Sequence, residues 1–163
     1  MVPKLVLAAV ASQRDGMPDL DGEVTVRLKR AGQRYSAGRR ALVHALRKVG
    51  RPTTIPELVD ATPGLAMSSA YRNLAVLEAT GVVHRIVLGA DDHARFELAE
   101  VVTDHHHHHL ICTACGAVDD FTVPARLEKA VSEALDAVAS ATSFRPVDHR
   151  LDLVGTCASC AGP

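Results

Sequence analysis

Two cysteine pairs constrain this chain more than any other feature. Cys112 and Cys115 form one Cys-x-x-Cys pair, Cys157 and Cys160 form another, and they are the four cysteines of the 163-residue sequence. A two-residue spacer lets both thiolates of a turn face the same ion, and two such turns complete a tetrahedral four-sulfur site. In a chain that is not secreted, this pairing indicates zinc rather than disulfides. We therefore predict a structural Zn²⁺ that joins the C-terminal residues to the sheet.

A run of five histidines, residues 105–109, leads directly into the first cysteine pair. Side chains on a strand alternate between its two faces. We therefore expect His106 and His108 on one face and His107 and His109 on the other. One segment can thus contribute to two different metal sites.

Residues elsewhere in the chain can complete each site. For the first set, a predicted helix over 124–141, whose apolar residues are expected to face inward, supplies Glu128, and a predicted last strand over 147–153 supplies His149 on its apolar core face. With the histidine run, this set is His106, His108, Glu128 and His149. For the second set, the predicted hairpin of the N-terminal half supplies His84 and Glu97, so this site would join the two halves of the chain. The set is His84, Glu97, His107 and His109, with His93 near the hairpin tip as an additional candidate.

The N-terminal half has the pattern of short helices followed by a hairpin. Apolar residues recur at helical spacing between breaks at Gly32, Gly50 and Pro63-Gly64. Thr54 and Glu57 have the spacing of a capping box, and Ser68 or Ser69 is expected to cap a fourth helix. Two β-rich runs then flank a turn. This order predicts a winged helix-turn-helix.

Charge is divided between the two halves. Residues 23–90 carry eleven basic and four acidic side chains, a net charge of +7, whereas residues 91–163 carry five basic and twelve acidic ones, a net charge of −7. A basic half that contains a recognition helix indicates DNA binding, with arginines on phosphates and Tyr71 on thymine methyl groups. The candidate contacts are Arg34, Arg39, Arg40, Ser69, Tyr71, Arg72 and Asn73.

Composition limits the remaining classes. With 47% hydrophobic and 23% charged residues the chain is not disordered, and no apolar run approaches the length of a membrane span. Two other functions remain open on the residues alone. A zinc hydrolase would use Glu97 or Glu128 as general base, and a zinc-buffering protein would leave the basic half without a role.

Five segments of the sequence resemble the ferric uptake regulator family. They are residues 28–36, 69–74, 95–98, 106–116 and 153–160, and the resemblance extends over about residues 24–160. It implies a cytoplasmic, homodimeric, metal-dependent transcriptional repressor of metal uptake and homeostasis genes, of the iron- or zinc-sensing type. It implies that the protein is not an enzyme and has neither a membrane partner nor a small-molecule substrate. The expected partner is double-stranded operator DNA.

The resemblance also implies an α+β fold. An N-terminal winged helix-turn-helix domain precedes a small α/β dimerisation domain with an antiparallel sheet and a structural zinc. The expected divisions are a poorly ordered leader over 1–22, the DNA-binding domain over 23–99, a hinge over 100–104 and the metal-binding dimerisation domain over 105–163.

Roles for the two histidine sets follow from the same resemblance. The set with His84 and Glu97 matches a sensory site at the hinge, and the set with Glu128 and His149 matches a second regulatory site. Imidazole and carboxylate ligands are compatible with Fe²⁺ or Zn²⁺, and also with Mn²⁺ or Ni²⁺.

Overall fold

The computed structural model describes residues 19–87, 94–103, 106–146 and 149–162. Most of the predicted leader and His93 lie outside these ranges. We call residues 19–103 the N-terminal half and residues 106–162 the C-terminal half. Among the described residues, no helix combines the length and apolar character needed to cross a bilayer.

The N-terminal half contains five helices and three short strands among its described residues. In chain order they are α1 (Leu20–Arg30), α2 (Ala37–Val49), β1 (Thr53–Thr54), α3 (Ile55–Asp60), α4 (Met67–Ala79), β2 (Val83–Ile86), β3 (Arg95–Leu98) and α5 (Glu100–Thr103). The strands form an antiparallel sheet in the order β1-β3-β2. Fully buried leucines from four of the helices form one core with the sheet: Leu28, Leu42, Leu58 and Leu74.

Local sequence explains where most of these helices begin and end. Gly50 ends α2 in the left-handed conformation, with φ of 65°, which favours glycine. The capping box at α3 is confirmed, because the Thr54 hydroxyl accepts from the Glu57 N–H and the Glu57 side chain accepts from the Thr54 N–H. The predicted serine cap of α4 is wrong. Leu65 packs against the core, and the chain enters α4 immediately afterwards, with Ala66 as the N-cap.

The C-terminal half contains a three-stranded sheet, a long helix and a final short helix. Its elements are β4 (His108–Cys112), β5 (Val118–Phe121), α6 (Ala125–Thr142), β6 (Asp152–Gly155) and α7 (Ala158–Ala161). The sheet order is β5-β4-β6, in which β4 pairs antiparallel with β5 and parallel with β6. The sheet is therefore mixed, where the sequence predicts an antiparallel one. The reason is that β5 returns the chain to the edge of the sheet at which β4 begins, and the segment with α6 then leads past β4 to β6, which starts at that same edge and runs parallel to β4.

Two expectations for this half need correction. The last strand begins at Asp152, so His149 precedes it and does not lie on its core face. The apolar residues of α6 were expected to face inward, yet no residue of this helix is buried, and Val138 is 59% exposed. Leu153 on β6 is likewise 62% exposed. Both apolar surfaces are uncovered in a single chain.

Candidate metal centres

The four cysteines meet at one end of the C-terminal sheet. Cys112 ends β4, Cys115 lies in the following turn, and Cys157 and Cys160 lie at the start of α7 and within it. All four are free, and their sulfur atoms lie within 4.8 Å of one another. We call them the cysteine cluster, and it contains all four residues predicted for structural zinc.

The spacing of the sulfur atoms fits a zinc ion. Sγ of Cys115 lies 3.8 Å from Sγ of Cys157, far beyond a disulfide bond of about 2.0 Å. Tetrahedral thiolates at about 2.3 Å from zinc are about 3.8 Å apart. The Cys157 N–H donates to Sγ of Cys112 and, with other nearby N–H groups, lowers the pKa of Cys112 to about 6. The Cys112 thiolate, the form that binds zinc, is thus favoured at neutral pH, whereas hydrogen bonds with Cys157 and Cys115 raise the pKa of Cys160 to about 12.

A second cluster forms where β4 faces α6. Glu128 Oε1 lies 3.0 Å from both His106 Nε2 and His149 Nε2, and Glu128 Oε2 lies 3.0 Å from His108 Nε2. We call these four residues the helix cluster. The structure brings together every member predicted from the sequence, although His149 arrives from the segment before β6 rather than from a strand.

A third cluster lies between the two halves, and we call it the hinge cluster: Glu97, His107, His109 and Asp120. Glu97 lies on β3. His107 immediately precedes β4, His109 lies on β4, and Asp120 lies on β5. His107 Nε2 and His109 Nε2 each lie 3.1 Å from a Glu97 oxygen. The potential ligand atoms of all four residues lie within 4.8 Å of one another.

Asp120 was not selected from the sequence. It pairs directly with His109 in the antiparallel register of β4 and β5. Knowledge of the register across the β4–β5 hairpin, whose turn contains Cys115, would have identified it, because Asp119 and Asp120 alternate faces and only one can share the face of His109.

His84 belongs to the surroundings of the hinge cluster. It pairs with Glu97 across β2 and β3, and it lines the same cavity of about 350 Å³ as Glu97, His107 and His109. It is not among the four described residues whose ligand atoms meet. His93, the additional candidate, lies outside the described residues.

The charged groups of the histidine clusters shift one another's pKa values. Burial alone would raise the pKa of Glu97, but hydrogen bonds with His107 and His109 outweigh it and lower the pKa to about 2. Desolvation opposes protonation of His109, yet Glu97 raises the pKa of this histidine above its ordinary value. In the helix cluster, Glu100 and Glu128 raise the pKa of His106 against its desolvation. The same histidine nitrogens and carboxylate oxygens that hydrogen-bond to one another could bind a divalent cation.

The predicted DNA-contacting residues of α4 are accessible. Tyr71 is 58% exposed, and the exposed Arg72 contacts Ser69 through Nη2 and Oγ, 3.3 Å apart. Asn73 is partly covered, because α2 approaches it closely at Gly38. A Cβ atom added there would lie 3.0 Å from the Asn73 amide nitrogen.

The three predicted arginines before and within α2 differ in their contacts. Arg34 is exposed, and its carbonyl oxygen accepts from the Arg39 guanidinium. Arg40 donates to Asp21 at 2.6 Å, and its guanidinium lies over the Tyr35 ring, 4.3 Å from the centroid. Arg40, which was predicted to contact phosphate, therefore forms an ion pair with Asp21 within the chain.

Comparison with known proteins identifies consistent relatives. A model described as "Ferric uptake regulator family" matches residues 30–154. The peroxide operon regulator of Bacillus subtilis is 30% identical over 138 residues, which is 82% of this chain and 88% of that protein.

Two solved structures have similar folds at 25% identity. The ferric uptake regulator of Vibrio cholerae aligns with a TM-score of 0.60 over 82% of this chain and 98% of that one. The ferric uptake regulator of Pseudomonas aeruginosa with manganese aligns with a TM-score of 0.63 over 82% and 97%.

Proposed function

Because the chain belongs to the ferric uptake regulator family, whose members regulate transcription and are not enzymes, we propose that it represses metal uptake and homeostasis genes in response to a metal. It would act in the cytoplasm, as a homodimer on double-stranded operator DNA. The DNA-binding domain would extend over residues 23–99 and the dimerisation domain over 105–163, with the hinge at 100–104.

The hinge cluster is the observation that carries this proposal. Glu97 belongs to the sheet of the N-terminal half, whereas His107, His109 and Asp120 belong to the C-terminal half. The N-terminal half also contains α4, with its exposed Tyr71. Any cation held by these four residues must fix the two halves relative to each other. DNA affinity is then linked to occupancy of the cluster.

The donor set fits a divalent transition metal. Two imidazoles and two carboxylates suit Fe²⁺, Zn²⁺, Mn²⁺ and Ni²⁺. The cation would supply positive charge that offsets Glu97 and Asp120 after the histidines lose their protons. His84 remains a predicted further ligand from β2.

Two other centres complete the proposal. Zn²⁺ in the cysteine cluster would hold α7 and β6 against the end of β4. The helix cluster would form a second regulatory site, in which His106, His108 and His149 surround the single carboxylate of Glu128.

The exposed apolar surfaces support a homodimer. Along α6, Leu127, Leu135 and Val138 are all uncovered, and so are Leu153 and Val154 on β6. Exposed apolar side chains grouped on one helix and one strand are typical of an interface between proteins. Both elements belong to the half that the family resemblance assigns to dimerisation.

Peroxide is a second candidate signal. The relative that is 30% identical is a peroxide operon regulator. If peroxide is sensed, hydrogen peroxide should release DNA from the Fe²⁺-loaded protein but not from the Mn²⁺-loaded protein, because Fe²⁺ is readily oxidised by peroxide.

A DNA-binding titration tests the main proposal. Duplexes are first selected from a random-sequence pool by the Mn²⁺-loaded protein, and fluorescence anisotropy then measures affinity with and without Mn²⁺ while zinc content is monitored. We expect Mn²⁺ to tighten binding by wild type and by the control Glu133→Ala, whose carboxylate is exposed on α6. Glu97→Ala should lose this stimulation. Equal affinity of wild type with and without Mn²⁺ would overturn the proposal.

A further inference from the structure

One carboxylate outside both histidine clusters contacts a member of each. Glu100 Oε2 lies 2.7 Å from His106 Nδ1, in the helix cluster. Glu100 Oε1 accepts the backbone N–H of His107 at 3.1 Å, and the His107 side chain belongs to the hinge cluster. The two oxygens therefore serve two adjacent residues that face different sites.

Glu100 itself is anchored to the N-terminal half. It is the first residue of α5, directly after Ala99, which is fully buried and donates its N–H to the Val82 carbonyl at 3.0 Å. Val102, two residues further on, is 2% exposed and belongs to the core of that half. The Glu100 carboxylate must move with the N-terminal half.

The contact with His106 also selects how this ring presents itself. Its Nδ1 faces Glu100, and its Nε2 faces Glu128 Oε1 at 3.0 Å. A carboxylate on one ring nitrogen fixes the tautomer that leaves the lone pair of the other nitrogen for a metal. Glu100 thereby orients His106 toward the helix cluster from outside it.

We propose that Glu100 is a positioning residue that couples the helix cluster to the hinge cluster and to the N-terminal half. The helix cluster, which the sequence placed within one domain, is on this account tied to the other domain through His106. Metal binding at either cluster restricts the motion of residues 106 and 107, and so favours metal binding at the other cluster. This inference rests on the proposed function, since it requires that both clusters bind metal.

A cycle of four proteins measures the coupling. Mn²⁺ affinity of the hinge cluster is determined by calorimetry in wild type, Glu128→Ala, Glu100→Ala and Glu100→Ala/Glu128→Ala, all with zinc retained. Disabling the helix cluster should weaken hinge-cluster affinity about tenfold when Glu100 is present, within the usual range of coupling between sites. It should have less than about a twofold effect when Glu100 is absent, because the connection is already lost.

Two further variants separate positioning from general stability. Glu100→Gln keeps one acceptor oxygen, which can serve only one of the two donors, and should retain part of the coupling. Glu133→Gln, a matched change on the exposed face of α6, should retain all of it. In the metal-free protein, the amide hydrogen of His107 should exchange faster in Glu100→Ala than in wild type or Glu133→Gln.

The outcomes distinguish the two levels of the account. If wild type binds Mn²⁺ at both clusters but shows the same coupling with and without Glu100, the role of Glu100 is wrong and the proposed function stands. If wild type binds Mn²⁺ at neither cluster, the proposed function is wrong and this inference is overturned with it.

Discussion

Glu97 lies where the two halves of the chain meet. It is buried, it faces two imidazoles, and its low pKa shows that these contacts outweigh its desolvation. A buried carboxylate is tolerated when paired charges or a metal compensate it. In the metal-free protein, hydrogen bonds with His107 and His109 supply that compensation, and a bound metal ion would replace these hydrogen bonds.

This competition predicts a pH dependence. The pKa values of His106 and His109 are raised, so these rings hold protons at a pH above the ordinary histidine value of about 6.5. As the pH is lowered from 8, metal affinity should therefore begin to fall before the pH reaches 6.5. Calorimetric Mn²⁺ titrations between pH 8 and pH 6 would show this, and an affinity that is constant over that range would contradict it.

Asp120 gives a second prediction at this scale. Asp120→Asn should weaken Mn²⁺ binding at the hinge cluster by at least about tenfold, because it removes a charged ligand. Asp119→Asn makes the same chemical change one residue away on the opposite face of β5, and should leave affinity unchanged. Equal losses in the two variants would show that general charge, rather than ligation, is responsible.

Residues were predictable from sequence where their chemistry is local. The cysteine spacing predicts a shared ion, and strand alternation assigns His106 to His109 to two faces. Neither requires knowledge of the fold. Asp120 depends on a hairpin register, and Glu100 on how a four-residue helix packs, so neither follows from spacing alone. His149 was selected for its chemistry, while the strand expected to hold it begins three residues later.

Among the elements, α3 is defined by its cap. The Glu57 carboxylate accepts from the Thr54 N–H and also contacts Arg51 and Arg95. Burial alone would raise the pKa of Glu57, but hydrogen bonds from Thr54 and Arg51 lower it to about 2. Because the folded pKa lies below the ordinary value of 4.5, this stabilisation is present above pH 4.5 and is lost as the pH falls toward 2.

The cap predicts a measurable stability change. Thr54→Ala should lower the free energy of unfolding by about 1 kcal/mol, as for other helix caps. Thr25→Ala, on the exposed face of α1 where the hydroxyl bonds only to a carbonyl of its own helix, should have little effect. Urea denaturation followed by circular dichroism would measure both, and equal destabilisation would contradict the role of the cap.

Other elements show where helical periodicity misleads. The apolar stripe of α6 predicts a helix correctly, but it does not reveal whether the stripe packs within the chain or against another molecule. The serines of α4 have capping chemistry, but Leu65 packs on the core and determines where the helix begins. In both cases tertiary packing decides what local sequence leaves open.

At the scale of the whole molecule, the uncovered stripe predicts a dimer interface. Val138→Glu should shift the protein toward monomer by placing a charge within an apolar contact. Ser140→Glu, on the polar face of α6, should leave the dimer intact. Sedimentation equilibrium would measure the molecular mass of each variant, and a dimeric Val138→Glu protein would exclude this face as the interface.

The most direct test of the account is reciprocity between metal and DNA. Mn²⁺ affinity is measured with and without saturating operator DNA, and operator affinity is measured with and without saturating Mn²⁺, at one salt concentration. If occupancy of the hinge cluster fixes the DNA-binding arrangement, the two ratios must be equal, and we expect each to lie between about 5 and 150. Mn²⁺ affinity that is unchanged by operator DNA would contradict the central claim.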